Sequence, residues 1–456
     1  MASTCDRAVE ISDLIDGKGM SRYQLQIILI CGLIMFLDGF DTQAISYVAP
    51  FVGEEWGLSQ EALGALLSSS LAGLMLGYLF LAPLADRIGH KRMIVATILG
   101  ASCTVIGSAF ATDVSELMTM RFLTGIGVGG IIPSTITMAS EYSPSRFRIT
   151  CVLAVYVGYS IGFVFAGLVA GWLIPFYGWQ MIFLVGGIAT LLMTPVIYFL
   201  LPDSVVSMAK KGVSVDRIRS ILIRIDPDLP KNFLSNMTEG KSRSSDLGKV
   251  SIAEVFSPKL LLGTLLIWGI FTINLGEFYA LQSWLPTIFS QQGYSLDMMV
   301  RGTTITVVGG IFAAFVIGPA MDRINPYNVI AILYVLGFCF LLLFGIAFKV
   351  SPWAVIVVGF FVGFCISGAQ KGMIAIAVIF YPARIRGTGL GWALGVGRVG
   401  AIGGPLLIGE FVDPSWPPSI VFGYMALPLL IISGIIYFMG RVYGPEAVKD
   451  VIVSRE

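Results

Sequence analysis

Apolar and polar positions along the chain sort into long apolar runs separated by short polar turns. A helix needs about 20 mainly apolar residues to cross a bilayer. Twelve such runs are predicted, at roughly 24–50, 62–85, 93–111, 115–141, 149–173, 178–201, 260–289, 298–320, 328–348, 352–381, 386–411 and 419–440. The first 23 residues are polar, and the run after them is too long for a signal-peptide core, so no cleaved leader is expected. The polar stretch 202–258 divides the runs six and six. It mixes both signs of charge with Pro and Ser and reads as a linker, with short amphipathic helices around 214–224. The expected organisation is a polar segment 1–23, a six-helix half 24–201, the linker 202–258, a second half 259–441 and a tail 442–456.

The turns are not equivalent. Those after spans 2, 4, 8 and 10 carry Arg87, Lys91 and Arg92; Arg146 and Arg148; Arg323; and Arg384 and Arg386. The opposite turns hold Glu54, Glu55, Asp113, Glu116 and Asp413, with Arg301 and Lys349 as their bases. Basic turns stay in the cytoplasm, so both termini and the linker are expected there. The halves also repeat. Pro83, Asp86, Arg87 and Ile88 recur 236 residues later as Pro319, Asp322, Arg323 and Ile324. At the same offset Asp38, Asp41 and Pro50 map to Asn274, Glu277 and Pro286. Pro144, Arg146, Arg148 and Thr150 recur 238 residues on as Pro382, Arg384, Arg386 and Thr388. Six is even, so both halves start on the same side and the repeat is parallel.

Composition supports this reading and removes rivals. Charged residues are 12% of the chain and apolar ones 56%, against about 25% and 45–50% in soluble domains. The net charge of +1 gives no basic excess for nucleic acid. The six cysteines form no C-x-x-C pair, and His90 is the only histidine, so neither a disulfide framework nor a His-based metal or catalytic centre is expected. There is no phosphate-binding G-x-x-x-x-G-K-[ST] loop. A membrane enzyme lacks a nucleophile constellation here, and a transporter-like sensor lacks a soluble domain longer than 202–258.

Two stretches carry a resemblance. Gly77 through Arg92, with Asp86, Arg87, Gly89, Lys91 and Arg92, is similar to the loop 2–3 signature of the major facilitator superfamily, and Arg121 to Gly129 resembles its span 4 signature. A parallel repeat of six helices is the architecture of that superfamily, with the site near the midplane between halves. The finer resemblance is to the aromatic acid:proton symporters. It rests on Asp38-Gly-Phe-Asp41, Pro133, Glu141, Trp284-Leu-Pro286, and Gly389 to Gly409 with Gly391-Trp-Ala-Leu-Gly-Val-Gly-Arg398. The chain departs from the family in Pro202-Asp203-Ser204-Val205, in Asn325-Pro326, and in Lys371, which stands where many members have a neutral residue. The resemblance implies an all-α integral membrane protein of twelve transmembrane helices in two parallel-repeated six-helix halves. It further implies a proton-coupled carrier of a small aromatic carboxylate.

Charged residues deep in a membrane are costly and mark pathways or pairs. Asp38, Asp41, Glu277, Lys371 and Arg398 are deep, and Arg121 is shallower. Asp38 and Asp41 are three apart and share a helix face. Two such carboxylates suit proton coupling; the competing reading makes them structural partners of Arg121, which the helix rise of about 1.5 Å per residue permits. Glu277, the repeat counterpart of Asp41, has three open roles: proton carrier, partner of Lys371 or Arg398, or substrate contact. Arg398 lies about 18 Å and Lys371 about 15 Å from the basic end of their helices. Arg398 suits a carboxylate through two parallel hydrogen bonds, with Lys371 as helper; alternatively each neutralises a carboxylate permanently. Phe40, Tyr159, Phe278, Tyr279 and Trp392, with Gln282 and Gln370, are candidate walls of the site, although aromatic residues in spans also serve simply for packing. In the fold implied by the family, Asp86 and Arg87 with Arg146 and Arg148, and Asp322 with Arg384 and Arg386, are gating clusters.

The expectation is therefore a symporter in the inner membrane, importing a small aromatic carboxylate by alternating access. Protons and lipid are its other partners; no nucleic acid, cofactor or metal is called for, and a monomer suffices. A non-aromatic organic acid such as muconate, lactate or a sugar acid is the alternative cargo. The family carries benzoate, hydroxybenzoates, gentisate, phenylpropionates and chlorinated phenoxyacetates, and nothing in the sequence chooses among them.

Overall fold

The computed structural model describes residues 20–205, 208, 215–225, 254–258, 260–382 and 385–444. Twelve long helices fall where the apolar runs predict them: α1 (Arg22–Glu55), α2 (Gln60–Ile88), α3 (His90–Ser108), α4 (Val114–Tyr142), α5 (Arg148–Tyr177), α6 (Gln180–Leu200), α7 (Leu261–Gln291), α8 (Leu296–Arg323), α9 (Pro326–Ala347), α10 (Pro352–Phe380), α11 (Arg386–Phe411) and α12 (Pro418–Val442). Eleven are long and apolar enough to cross a membrane. The exception, α3, spends its first turn on His90, Lys91 and Arg92. Its 19 residues reach about 28 Å, just short of the hydrocarbon thickness of about 30 Å.

Local chemistry sets the ends. At α1 the Ser21 hydroxyl accepts from the Gln24 amide at 3.2 Å while the Gln24 side chain accepts from the Ser21 amide at 2.8 Å, a reciprocal cap that satisfies two orphan donors. Asp113 caps α4 through the Glu116 amide at 2.9 Å, and Asn325 with Pro326 opens α9. The predicted amphipathic segment of the linker appears as a short helix, Val215–Ile225. Its Ile218, Leu222 and Ile225 join the apolar core at the start of α1, and Arg224 sits 5.8 Å from the Tyr23 ring. The segment 1–19, most of the linker and the tail from 445 lie outside the described residues.

Packing repeats between the halves as the sequence does. In the first, α1 packs on α5, α2 on α4, and α3 on α4 and α6; in the second, α7 packs on α11, α8 on α10, and α9 on α10 and α12. Across the interface α2 meets α11, α5 meets α8 and α1 meets α7. These contacts gather at the helix ends nearest the acid-rich turns. There Gln43 donates to the Gln282 carbonyl at 3.3 Å, and Ser68 to the Ile402 carbonyl at 2.9 Å. One apolar core runs from Ala44–Val52 of α1 and Leu63–Leu67 of α2 into Trp284, Leu285 and Phe289 of α7. The core at the opposite end of the first half, built on Ile27–Met35, Ile94, Met138 and Ile197, is a separate cluster. The halves are thus sealed at their acid-rich ends.

Close backbone approach makes this seal. A Cβ on Gly409 of α11 would stand 2.6 Å from the Gln60 carbonyl oxygen and 3.0 Å from the Gly64 Cα of α2, where no side chain fits. Gly409→Val should therefore force α2 and α11 apart at the acid end. The expected outcome is faster labelling of Ser68→Cys by a membrane-impermeant maleimide in an otherwise cysteine-free background. Unchanged labelling would mean that this seam does not hold the halves together.

Candidate functional site

The deep charges fall into three groups. In the first, Arg121 of α4 reaches Asp41 of α1, with Nη1 donating to Oδ1 at 2.8 Å. Nε and Nη2 both donate to the Ser108 hydroxyl, at 3.1 and 2.9 Å, and Nη2 also to Thr124 at 3.2 Å. The Phe183 ring lies 4.6 Å from the guanidinium carbon, and Arg121 is 1% exposed. This is a closed ion pair inside the first half, joining α1, α3, α4 and α6. Asp41 is thus the partner of Arg121 in this structure.

The second group lies between the halves. Arg398 of α11 donates to the Tyr279 hydroxyl of α7 through Nη1 and to the Tyr78 hydroxyl of α2 through Nη2, both at 3.3 Å. Its guanidinium carbon stands 4.9 Å from the Tyr78 ring. Asp38 of α1 lies within electrostatic range of Asp41 and of Arg398, with the Thr42 hydroxyl beside it and no ion pair to Arg398 among the described residues, and Tyr156 and Tyr159 of α5 lie within the same range. Asp38 is 4% exposed and neither oxygen meets a hydrogen-bond donor at bonding geometry. Arg398, Tyr78 and Tyr159 keep part of their surface accessible although they stand amid the bundle, and Tyr156 is exposed. Five helices of both halves therefore bring one cation, one carboxylate and four phenol rings together. Both hydrogen bonds of Arg398 go to neutral phenols at long range, leaving the fork available to a stronger acceptor.

In the third group, Glu277 and Lys371 do not meet. Glu277 is 6% exposed with Oε1 unpartnered. It lies three residues after Asn274, which donates to the Tyr334 hydroxyl of α9 at 2.7 Å. The repeat equivalents of Arg121, at 357–359, are Val, Val and Gly, so this acid has lost the partner that Asp41 keeps. Lys371 of α10 donates instead to the Gly310 carbonyl of α8 at 2.5 Å. Among the described residues neither Lys371 nor Arg398 forms an ion pair with Glu277.

Other predicted wall residues divide. Tyr159, Tyr279 and Phe278 are at or beside the Arg398 cluster, with the Phe278 ring 5.2 Å from Tyr279. Phe40 turns instead into the first half, against Gly186 of α6. Trp392 stacks on Trp268 at 5.9 Å. Gln282 belongs to the acid-end seal, donating to Thr306 at 3.1 Å. Gln370 is half-buried beside Lys371. Of the gating clusters, Arg87 is exposed and Arg146 lies over the Phe147 ring at 5.4 Å. The side chains of Asp86, Asp322 and Arg386, and the whole of Arg384, lie outside the described residues, and with them the predicted pairs. Tyr78 was not singled out from the sequence: it sits inside the Gly77–Arg92 signature, whose charges draw attention away from it. Thr124, three residues after Arg121, was readable as its neighbour on the same face.

Two halves of six helices, joined around a cation and aromatic rings, define a solute carrier rather than an enzyme. The profile of the Major Facilitator Superfamily matches residues 31–305 and 302–452, and the chain belongs to that superfamily. It is 34% identical to the 4-hydroxybenzoate transporter PcaK of Pseudomonas aeruginosa, over 96% of this chain and 97% of that one. It is also 34% identical to the gallate transporter of Pseudomonas putida, over 93% of each. The inward-open xylose transporter XylE of E. coli has the same fold, with a TM-score of 0.72 at 16% identity, covering 91% of this chain and 96% of that one. The membership in the aromatic acid:proton symporter family read from spans 1 and 11 is borne out by these relatives, and the chain is a multi-pass membrane transporter.

The closed pair carries a stability prediction. Breaking a buried ion pair from one side costs about 3–5 kcal/mol because the remaining charge is stranded. Asp41→Asn should lower the melting temperature in detergent sharply, and the double variant Asp41→Asn with Arg121→Gln should recover most of it. A single variant as stable as the wild type would show that the pair does not support the fold.

Proposed function

We propose that this protein is a proton-coupled symporter of the bacterial inner membrane, with both termini cytoplasmic, that imports a small aromatic carboxylate. The observation that carries the reading is Arg398: a partly accessible guanidinium held by two neutral phenols, with Asp38 within electrostatic range across the interface between halves. The relatives named for 4-hydroxybenzoate and gallate transport favour an aromatic acid as cargo, and the ring of Tyr78, Tyr156, Tyr159 and Tyr279 suits its flat faces.

The geometry suggests how the two cargoes are coupled. A planar guanidinium binds one carboxylate well through two parallel hydrogen bonds. When the substrate carboxylate takes Arg398, Asp38 loses its counter-charge in a poorly solvated place and takes up a proton. The loaded site is then neutral and crosses between the two access states without carrying net charge. Once the substrate leaves, Asp38 gives up its proton and returns to Arg398. Asp41 keeps the Arg121 pair throughout, so it supports α1 rather than shuttling protons, and Asp38 is the acid that titrates.

Uptake of labelled 4-hydroxybenzoate into proteoliposomes tests this. With an inward proton gradient the wild type should accumulate the acid. Asp38→Asn should lose accumulation yet retain exchange of internal for external acid. Arg398→Lys keeps the charge but loses the fork, and should bind at least about tenfold more weakly. Gradient-driven accumulation by Asp38→Asn, or unchanged affinity in Arg398→Lys, would contradict the scheme.

A further inference from the structure

Lys371 has no task in the coupling just described, yet it is an expensive residue to keep. It sits nine residues before the end of α10 at Phe380, so it lies about 14 Å along the helix from the basic end. Arg398, twelve residues into α11, lies about 18 Å from the same end. The two cations differ in depth by about 4 Å along their axes, the scale of one aromatic ring.

The surroundings of Lys371 point the same way. An ammonium carries three donors, and the Gly310 carbonyl takes one of them at 2.5 Å. Among the described residues no carboxylate approaches it. Asp41 is held by Arg121 at 2.8 Å, neither Asp38 nor Glu277 forms an ion pair with Lys371, and Lys371 reaches α8. The side chain also keeps part of its surface accessible. A lysine at this depth turned to lipid would cost several kcal/mol, so its accessible surface faces an opening in the bundle interior. Gln370 stands beside it, also partly accessible. A cation in that opening without a protein counter-charge is satisfied by an anion that comes and goes.

We propose that Lys371 is a second anion subsite, and that the acids this protein prefers carry a second acidic group on the ring besides the carboxylate held by Arg398. The proposal rests on the aromatic-acid reading and narrows it from monoacids to benzene dicarboxylates. Arg398 anchors one carboxylate through its fork, and Lys371 meets the other as a point charge.

The test is a binding comparison on the purified full chain in detergent, using benzoate and the three benzene dicarboxylates as competitors of labelled 4-hydroxybenzoate. In the wild type at least one dicarboxylate should bind about tenfold tighter than benzoate, the increment of one charge-assisted hydrogen bond. Lys371→Gln should bring that ratio to about one, and Lys371→Arg should restore it. A wild type that binds no dicarboxylate better than benzoate overturns the subsite, as does a ratio unchanged by Lys371→Gln. The comparison within the wild type decides the matter even if Lys371→Gln fails to fold. If labelled 4-hydroxybenzoate, benzoate and the dicarboxylates all fail to bind the wild type, the aromatic-acid reading itself falls, and the subsite with it. Failure of the dicarboxylates alone leaves that reading standing.

Discussion

Every buried charge in a protein surrounded by lipid needs a counter-charge or dense hydrogen bonding, and the structure is organised by how each of them is answered. Asp41 and Arg121 answer one another. Their contact at 2.8 Å, wrapped by Ser108, Thr124 and the Phe183 ring, ties four helices of the first half together. Asp38, one turn away, forms no ion pair among the described residues and lies within electrostatic range of Arg398 in the other half.

The repeat shows what changed between the halves and why the site is asymmetric. Asp38 and Asp41 correspond to Asn274 and Glu277. Asn274 makes a neutral bond to Tyr334 at 2.7 Å, so the second half supplies no carboxylate where the first supplies Asp38. It supplies Arg398 instead, whose counterpart at 160 is a serine. The acid comes from one half and the base from the other. At the acid-rich ends the opposite logic holds: glycines and backbone carbonyls replace charges, which lets α2 and α11 close tightly and part again without stranding an ion.

The fold was legible in the sequence because lipid imposes long apolar runs, and each run became a helix within a few residues. Span 3 shows the limit: the apolar pattern begins near Met93, but the helix starts at His90 because Gly89, at φ +106°, ends α2 directly before it. The Asp41–Arg121 pair was accessible from depth along two helices. Which acid then remained for coupling was not, since that depends on where Arg121 points. The walls of the site were read in part. Tyr159 and Tyr279 lie beside the deep charges in sequence depth and were found. Tyr78 was missed because its contact with Arg398 crosses between the halves and depends on the helix rotation and the access state, neither of which periodicity encodes.

The central claim is that Asp38 and the substrate carboxylate compete for Arg398, so that binding itself takes up a proton. The most direct measurement is proton uptake on mixing 4-hydroxybenzoate with the detergent-solubilised protein in weakly buffered solution, followed with a pH-sensitive dye. The account predicts uptake of about one proton per bound acid by the wild type, and none by Asp38→Asn at saturating acid. Equal uptake by the two proteins would contradict it and move the coupling proton to another carboxylate.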